Sequence, residues 1–310
     1  MILRFTRPLL LPLMMLAGGC AGNVLQGEAE LPLSVEWQDT PFFPQEEYQC
    51  GPAALATLLN SSGRTVRPEE LVAKVYVPGK RGSFQPELLA ATRSYERIPY
   101  VIPPEMSALL AELAHGRTVL VFQNLGARLL PVWHYAVVIG FSLEKDRIIL
   151  RSGTSKRLEQ SARRFLKTWK RGEYWGMVAL APGELPATGD ISRYLKAVAA
   201  AESSGQLNLA ISSYQAALDR WPDNSTALFG LGNSFFKSGN FSQAEQSYRK
   251  LLQTNPDHTA TRNNLAQMLA DQGRCREARQ IIDEALSSSD PEPWLSEVLI
   301  ATSEQISSCR

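Results

Sequence analysis

Cys50 opens the most chemically suggestive stretch of the chain, Pro44-Gln45-Glu46-Glu47-Tyr48-Gln49-Cys50-Gly51-Pro52-Ala53-Ala54-Leu55. A thiol attacks a carbonyl as its thiolate, and unpaired N–H groups at a helix start favour that anion. Ala53, Ala54, Leu55, Leu58 and Leu59 recur at helical spacing, which predicts a helix beginning at Cys50. Gly51 lets a substrate or backbone come close, and Pro52 suits a first turn because its missing N–H costs nothing there. A nucleophile also needs a base and a donor for the developing oxyanion. Gln45, five residues upstream, could present its side-chain amide beside the N–H of Cys50; Gln49 is the alternative donor. Of the three histidines, His115 precedes Gly116 in a helix-ending turn and His258 lies in a loop after Pro256. Only His134 opens a strand-like run, His134-Tyr135-Ala136-Val137-Val138-Ile139-Gly140, that would fix its ring.

Gln–x4–Cys-Gly-Pro-Ala, followed about 80 residues later by the His134 run, resembles the double-glycine leader peptidases and their standalone relatives. These are papain-like cysteine peptidases, and the resemblance covers roughly residues 38–155. It implies that Cys50 is the nucleophile, His134 the base and Gln45 the oxyanion donor. Relatives usually carry Asp or Asn, commonly before proline, on the strand after the histidine strand. Here that register falls on Ser152-Gly153. Asp146 is the nearest acid, but it closes the turn after the histidine strand, roughly 25 Å from His134 at ~3.3 Å per residue. A Ser152 hydroxyl or a local carbonyl is therefore left to orient the imidazole, with less stabilisation of the imidazolium than a carboxylate supplies.

The elements that must position these residues form an α+β pattern over 35–182. Helices are predicted over 50–59, 68–75, 85–94, 104–114 and 159–169, and strands over 118–123, 134–141, 147–151 and 174–180. Helices first and a late group of adjacent strands argue against a regularly alternating parallel fold. Residues 183–190 hold Gly, Pro and Thr and read as a linker. Beyond it the chain is helical with a 34-residue period: Ala210, Ala244 and Ala278; Tyr214, Tyr248 and Ile282; Ala217, Leu251 and Ala285; Pro222 and Pro256. The Leu231-Gly232 and Leu265-Ala266 pairs mark the first helices of repeats two and three. This pattern resembles the tetratricopeptide repeat, which implies an all-α solenoid of three repeats over 191–308 with a capping helix at 292–307. Such a stack offers a concave face for a peptide or partner protein.

Of four cysteines, Cys275 and Cys309 are 34 apart. They therefore occupy equivalent points of adjacent units, close enough for a disulfide. Cys20 follows a segment with Arg4 and Arg7, an apolar run from Leu9 to Leu16, and Ala17-Gly18-Gly19. That segment resembles a lipobox, with Ala17 where leucine is usual. The resemblance implies a signal peptide over 1–19, lipidation of Cys20 and a tether over 20–34. Because Ala21 follows rather than an aspartate, it also implies a periplasm-facing position on a bacterial outer membrane. Cys50 then remains as the unpaired thiol of an oxidising compartment.

The 310 residues suit about two domains, and a net charge of +1 without a basic cluster argues against nucleic acid as a partner. No Walker-type loop and no Cys/His cluster with zinc spacing occurs, so no cofactor or metal is expected. The leading reading is an envelope-anchored peptidase whose repeats bind substrate or partner. The alternative is a degenerate peptidase-like scaffold lipoprotein, motivated by Ser152. Transpeptidation shares the same acyl-enzyme.

Overall fold

The computed structural model describes residues 24–25, 31–44, 50–80, 82–287 and 293–309. Cys20, Gln45 and Gln49 lie outside the described residues, as does the expected signal peptide.

The N-terminal half is built on a seven-stranded antiparallel sheet whose spatial order is β4 (Ile98–Val101), β9 (Gly176–Leu180), β5 (Val119–Asn124), β6 (Trp133–Ser142), β7 (Arg147–Ser152) and β8 (Ser155–Ser161). β1 (Ser34–Glu36) pairs with the far end of β6, where Ser34 faces Ser142. A separate two-stranded ribbon joins β2 (Tyr76–Val77) to β3 (Gly82–Ser83). β6 is central and apolar on both faces, as a strand covered on two sides must be. Tyr135, Val137 and Ile139 join the core under α1 (Cys50–Ser61), α2 (Pro68–Val75) and α3 (Gln85–Ser94). Ala136 and Val138 join the opposite core, under α4 (Met106–Ala114) and α5 (Ala162–Lys170).

The expected helix over 159–169 starts later, at Ala162. Residues 155–161 are polar and exposed, but they complete the β7–β8 hairpin, where Arg147 faces Ser161. The hydroxyl of Ser161 then caps α5 by accepting the N–H of Arg164. At the start of the chain, Val24 and Leu25 are held rather than free. Their N–H groups donate to Asp146 Oδ1 at 2.9 and 3.2 Å, and Leu25 is buried.

Among the described residues seven further helices follow: α6 (Ile191–Ser203), α7 (Leu207–Arg220), α8 (Ser225–Lys237), α9 (Phe241–Thr254), α10 (Thr259–Asp271), α11 (Cys275–Ser287) and α12 (Pro293–Ser307). The period recurs in their caps. Asp190, Asn224 and His258, 34 residues apart, accept the N–H groups of Arg193, Ala227 and Thr261 at the starts of α6, α8 and α10. His258 therefore has a structural task. Close helix approach needs the small residues: a Cβ on Gly232 would lie 2.4 Å from the Tyr248 ring. Cys275 and Cys309 form a disulfide that ties α12 to α11.

The two halves share one continuous apolar core, running from Tyr100 and Val178 of the sheet into Tyr194, Leu195 and Val198 of α6. The segment between them is pinned. Glu112, fully buried, accepts from Arg117 Nε at 2.5 Å and from the N–H of Ala187 at 3.0 Å. Arg117 also donates to Glu184 at 2.7 Å, and Tyr100 Oη lies 2.9 Å from Thr188 Oγ1.

Candidate active site

The first residue of α1 meets the first residues of β6. Leu55, Leu58 and Leu59 bury the helix against the sheet, which carries Cys50 to the edge where β6 begins. The backbone N–H groups of Tyr135, Gly51 and Cys50 itself face the sulfur. Tyr135 is the neighbour of His134, so the nucleophile candidate lies beside the strand position that carries the histidine. Phe43, Phe122 and Trp175 pack against the same core as Cys50, and Phe122 stacks on Trp133 with ring centroids 5.1 Å apart.

His134 faces Gln123 across the β5–β6 ladder. Its Nε2 lies 2.9 Å from the Ser152 hydroxyl, at the end of β7. Among the described residues the ring makes this hydrogen bond and none to the Cys50 sulfur. Asp146 sits at the other end of β6, in the turn before β7, holding Val24 and Leu25. Arg151, next to Ser152, is buried and donates to the carbonyls of Gln38 and Thr40 at 2.7 and 2.9 Å. It thereby fixes the chain that leads toward Cys50.

The electrostatics differ from the sequence expectation of a depressed thiol pKa. Burial pushes the Cys50 thiol above its ordinary 9.0, although the three N–H groups pull the other way. Burial likewise lowers His134 from 6.5 to about 4. Both candidate groups therefore rest neutral, a thiol at Cys50 and an imidazole at His134. The N–H groups at the helix start do face the sulfur, but its burial outweighs their contribution.

The sequence pattern carries no sign that Tyr135 faces the thiol or that Ser83 packs on the adjoining Gly51. Ser83 lies in a Gly- and Pro-containing stretch without periodicity, and Tyr135 reads as strand core. Among the described residues no group of three or more His, Cys, Asp or Glu side chains is placed to hold a metal ion. No helix among them is long and apolar enough to cross a membrane.

Residues 37–176 match the Peptidase_C39 like family, and residues 195–259 and 229–293 match the tetratricopeptide repeat. A C39-like peptidase from Bacillus anthracis superposes with a TM-score of 0.41 at 16% identity, covering 47% of this chain and 97% of that one. The peptidase domain of Streptococcus ComA, a bi-functional ABC transporter, gives 0.38 at 19% identity over 46% of this chain and 98% of that one. A tetratricopeptide repeat and J domain-containing co-chaperone of Fusarium oxysporum is 32% identical over 95 residues, 31% of this chain. The chain spans only 18% of that co-chaperone's length.

Proposed function

Taking as premise that the chain joins a C39-like peptidase-family domain to tetratricopeptide repeats, we propose that it is a cysteine peptidase with Cys50 as nucleophile and His134 as base. The observation that carries this reading is the Tyr135 N–H on the Cys50 sulfur, with Ser152 Oγ 2.9 Å from the His134 ring. A thiol beside a neutral imidazole can act by general-base transfer: the imidazole takes the thiol proton as sulfur attacks the peptide carbonyl. The C–N bond then breaks, and the imidazolium returns that proton to the leaving amine. Water, deprotonated by the imidazole, cleaves the thioester and regenerates the thiol. The N–H of Cys50 and the side chain of Gln45 are the donors assigned to the oxyanion. Ring-to-sulfur hydrogen bonds of such sites commonly tighten only when substrate is bound.

The same reading makes Cys20 a lipid attachment site in the bacterial envelope and the repeats a surface for substrate or partner protein. A scaffold without turnover is the second reading, favoured by a hydroxyl where a carboxylate would hold an imidazolium more strongly. Incubating the protein with an envelope proteome and sequencing new termini separates the two. New termini that appear with the wild type and vanish with Cys50→Ala support the peptidase; identical termini from both leave the scaffold.

A further inference from the structure

The loop between β5 and β6, which leads into His134, holds out an apolar tip that the fold does not use. Leu125, Leu129, Leu130, Val132 and Trp133 stand exposed within nine consecutive positions, Leu129 at 91% and Leu130 at 77%. The loop is closed on its own backbone. Oδ1 of the buried Asn124 accepts the N–H groups of Gly126 and Val132 at 3.0 and 2.9 Å, and the Leu125 N–H donates to the Val132 carbonyl at 2.9 Å. A Cβ on Gly126 would collide with the Leu130 carbonyl, so the tight return needs glycine. A stitched frame thus holds these side chains outward, although the stacked rings of Phe122 and Trp133 lie at its base.

A clustered apolar surface of this kind marks a contact site, and three features favour a lipid bilayer over a protein. Leu129 and Leu130 have few neighbours from their own chain. A rigid partner would need a pocket closing around each from every side, whereas acyl chains flow around whatever projects among them. From Thr118 to Leu143, Arg128 is the only Lys, Arg, Asp or Glu. The tip therefore brings one positive charge and no negative one, which suits an anionic headgroup layer. Trp133, half-exposed at the base of the loop, is the residue type that settles at headgroup level.

We propose that the β5–β6 loop enters the interfacial layer of a lipid bilayer, with Leu129, Leu130 and Val132 among the acyl chains and Trp133 at the headgroups. The proposal rests on the envelope reading above only for the presence of a membrane. Val24, four residues beyond Cys20, is held by Asp146 at the opposite end of β6. A lipid on Cys20 and the loop tip are then two footholds, separated by a ten-residue strand of roughly 30 Å. An anchor at one end alone leaves the body free to pivot. The second foothold lays β6 along the bilayer and brings the Cys50 end down to its surface.

Full-length Leu130→Trp protein is mixed with phosphatidylcholine vesicles and with vesicles that also contain phosphatidylglycerol, each made with plain or brominated acyl chains. Sedimentation records vesicle binding, and subtracting the wild-type emission isolates the added indole. The expected result is an indole emission shifted to the blue and quenched by bromine, more strongly where phosphatidylglycerol is present. Leu129→Ser in the same protein lowers the ratio of inserted to free tip about tenfold, the worth of one leucine side chain withdrawn from water. An indole left unquenched on vesicles that carry the protein down overturns the proposal and assigns the loop to a protein or peptide partner. So does quenching that Leu129→Ser leaves unchanged, since the indole then inserts by itself. A protein that sediments with no vesicles overturns it too. The intact mass of protein isolated from cells judges the anchor separately. Quenching with an unacylated Cys20 keeps the loop and sinks lipid attachment; an acylated Cys20 without quenching does the reverse.

Discussion

Ser152 Oγ lies 2.9 Å from Nε2 of His134, so the imidazole is oriented by a neutral group. A hydroxyl can fix the ring and its tautomer, but it adds no charge to balance an imidazolium. Removing it with Ser152→Ala should lower kcat/KM by up to about tenfold, the worth of one neutral hydrogen bond. Ser152→Asp should move the lower limb of the pH–rate profile upward from the region of pH 4, because a carboxylate favours the protonated ring. A profile unchanged in both variants would remove Ser152 from the site.

Alkylation of Cys50 should be slow at neutral pH. Burial places the thiol above its ordinary 9.0, and the thiolate is the reacting species. The iodoacetamide rate, followed by intact mass, should trail that of free cysteine at pH 7 and climb as pH rises past 9. A flat rate between pH 5 and 8 would mean a thiolate–imidazolium pair and refute the neutral resting state.

His134 also links stability to pH. Its folded pKa of about 4 lies below the ordinary 6.5, so the unfolded chain takes up the proton first as pH falls. The stabilisation is complete above 6.5 and is lost between 6.5 and about 4, amounting to roughly 2–3 kcal/mol by pH 4.5. Urea unfolding of wild type at pH 7 and 4.5, compared with His134→Gln, isolates this part. Equal pH losses in the two proteins would contradict it.

Part of this architecture is legible in the sequence, and the failures have local causes. The helix at Cys50 carries its own periodicity, and the repeats disclose themselves because Ala210, Ala244 and Ala278 must each admit a neighbouring helix. β8 is hidden because Ser155-Lys156-Arg157-Leu158-Glu159-Gln160-Ser161 is a polar edge strand without apolar alternation. β4 is short and contains Pro99. Ser83 is brought to Gly51, next to the thiol, by the packing of β3 on α1, which no spacing along the chain encodes. The direction of the Cys50 shift was also hidden. A helix start can be read from sequence, whereas burial of the sulfur comes from a core that gathers residues far apart in the chain, Phe43, Phe122 and Trp175 among those packed on it.

Glu112 should be among the least replaceable polar residues. It is fully buried, and burial pushes its carboxyl up while Arg117 pulls it down. Glu112→Leu would strand the half of Arg117 that faces it and free the N–H of Ala187, at a cost of about 3–5 kcal/mol. Thermal unfolding at pH 7 measures this. A variant within 1 kcal/mol of wild type, on the order of a surface substitution, would show that the pair is expendable.

The cap helix should depend on its covalent tie. The Cys275–Cys309 bond closes a 34-residue span, worth about 3–4 kcal/mol by loop closure. In Cys309→Ser, amide exchange should accelerate in α12 before it does in α7. Unchanged protection along α12 would argue that packing of Leu299 and Ile306 alone retains it.

Because sheet and repeats are welded through Tyr100, Val178, Tyr194 and Leu195, the solenoid cannot swing toward or away from Cys50 as a hinged arm would. Anything gripped by the repeats while one of its bonds reaches the sulfur must bridge a constant span. The molecule would behave as callipers with a locked joint, selecting by the number of residues between two points of a ligand. Shortening that interval should abolish double engagement abruptly, where a flexible joint would weaken it by degrees.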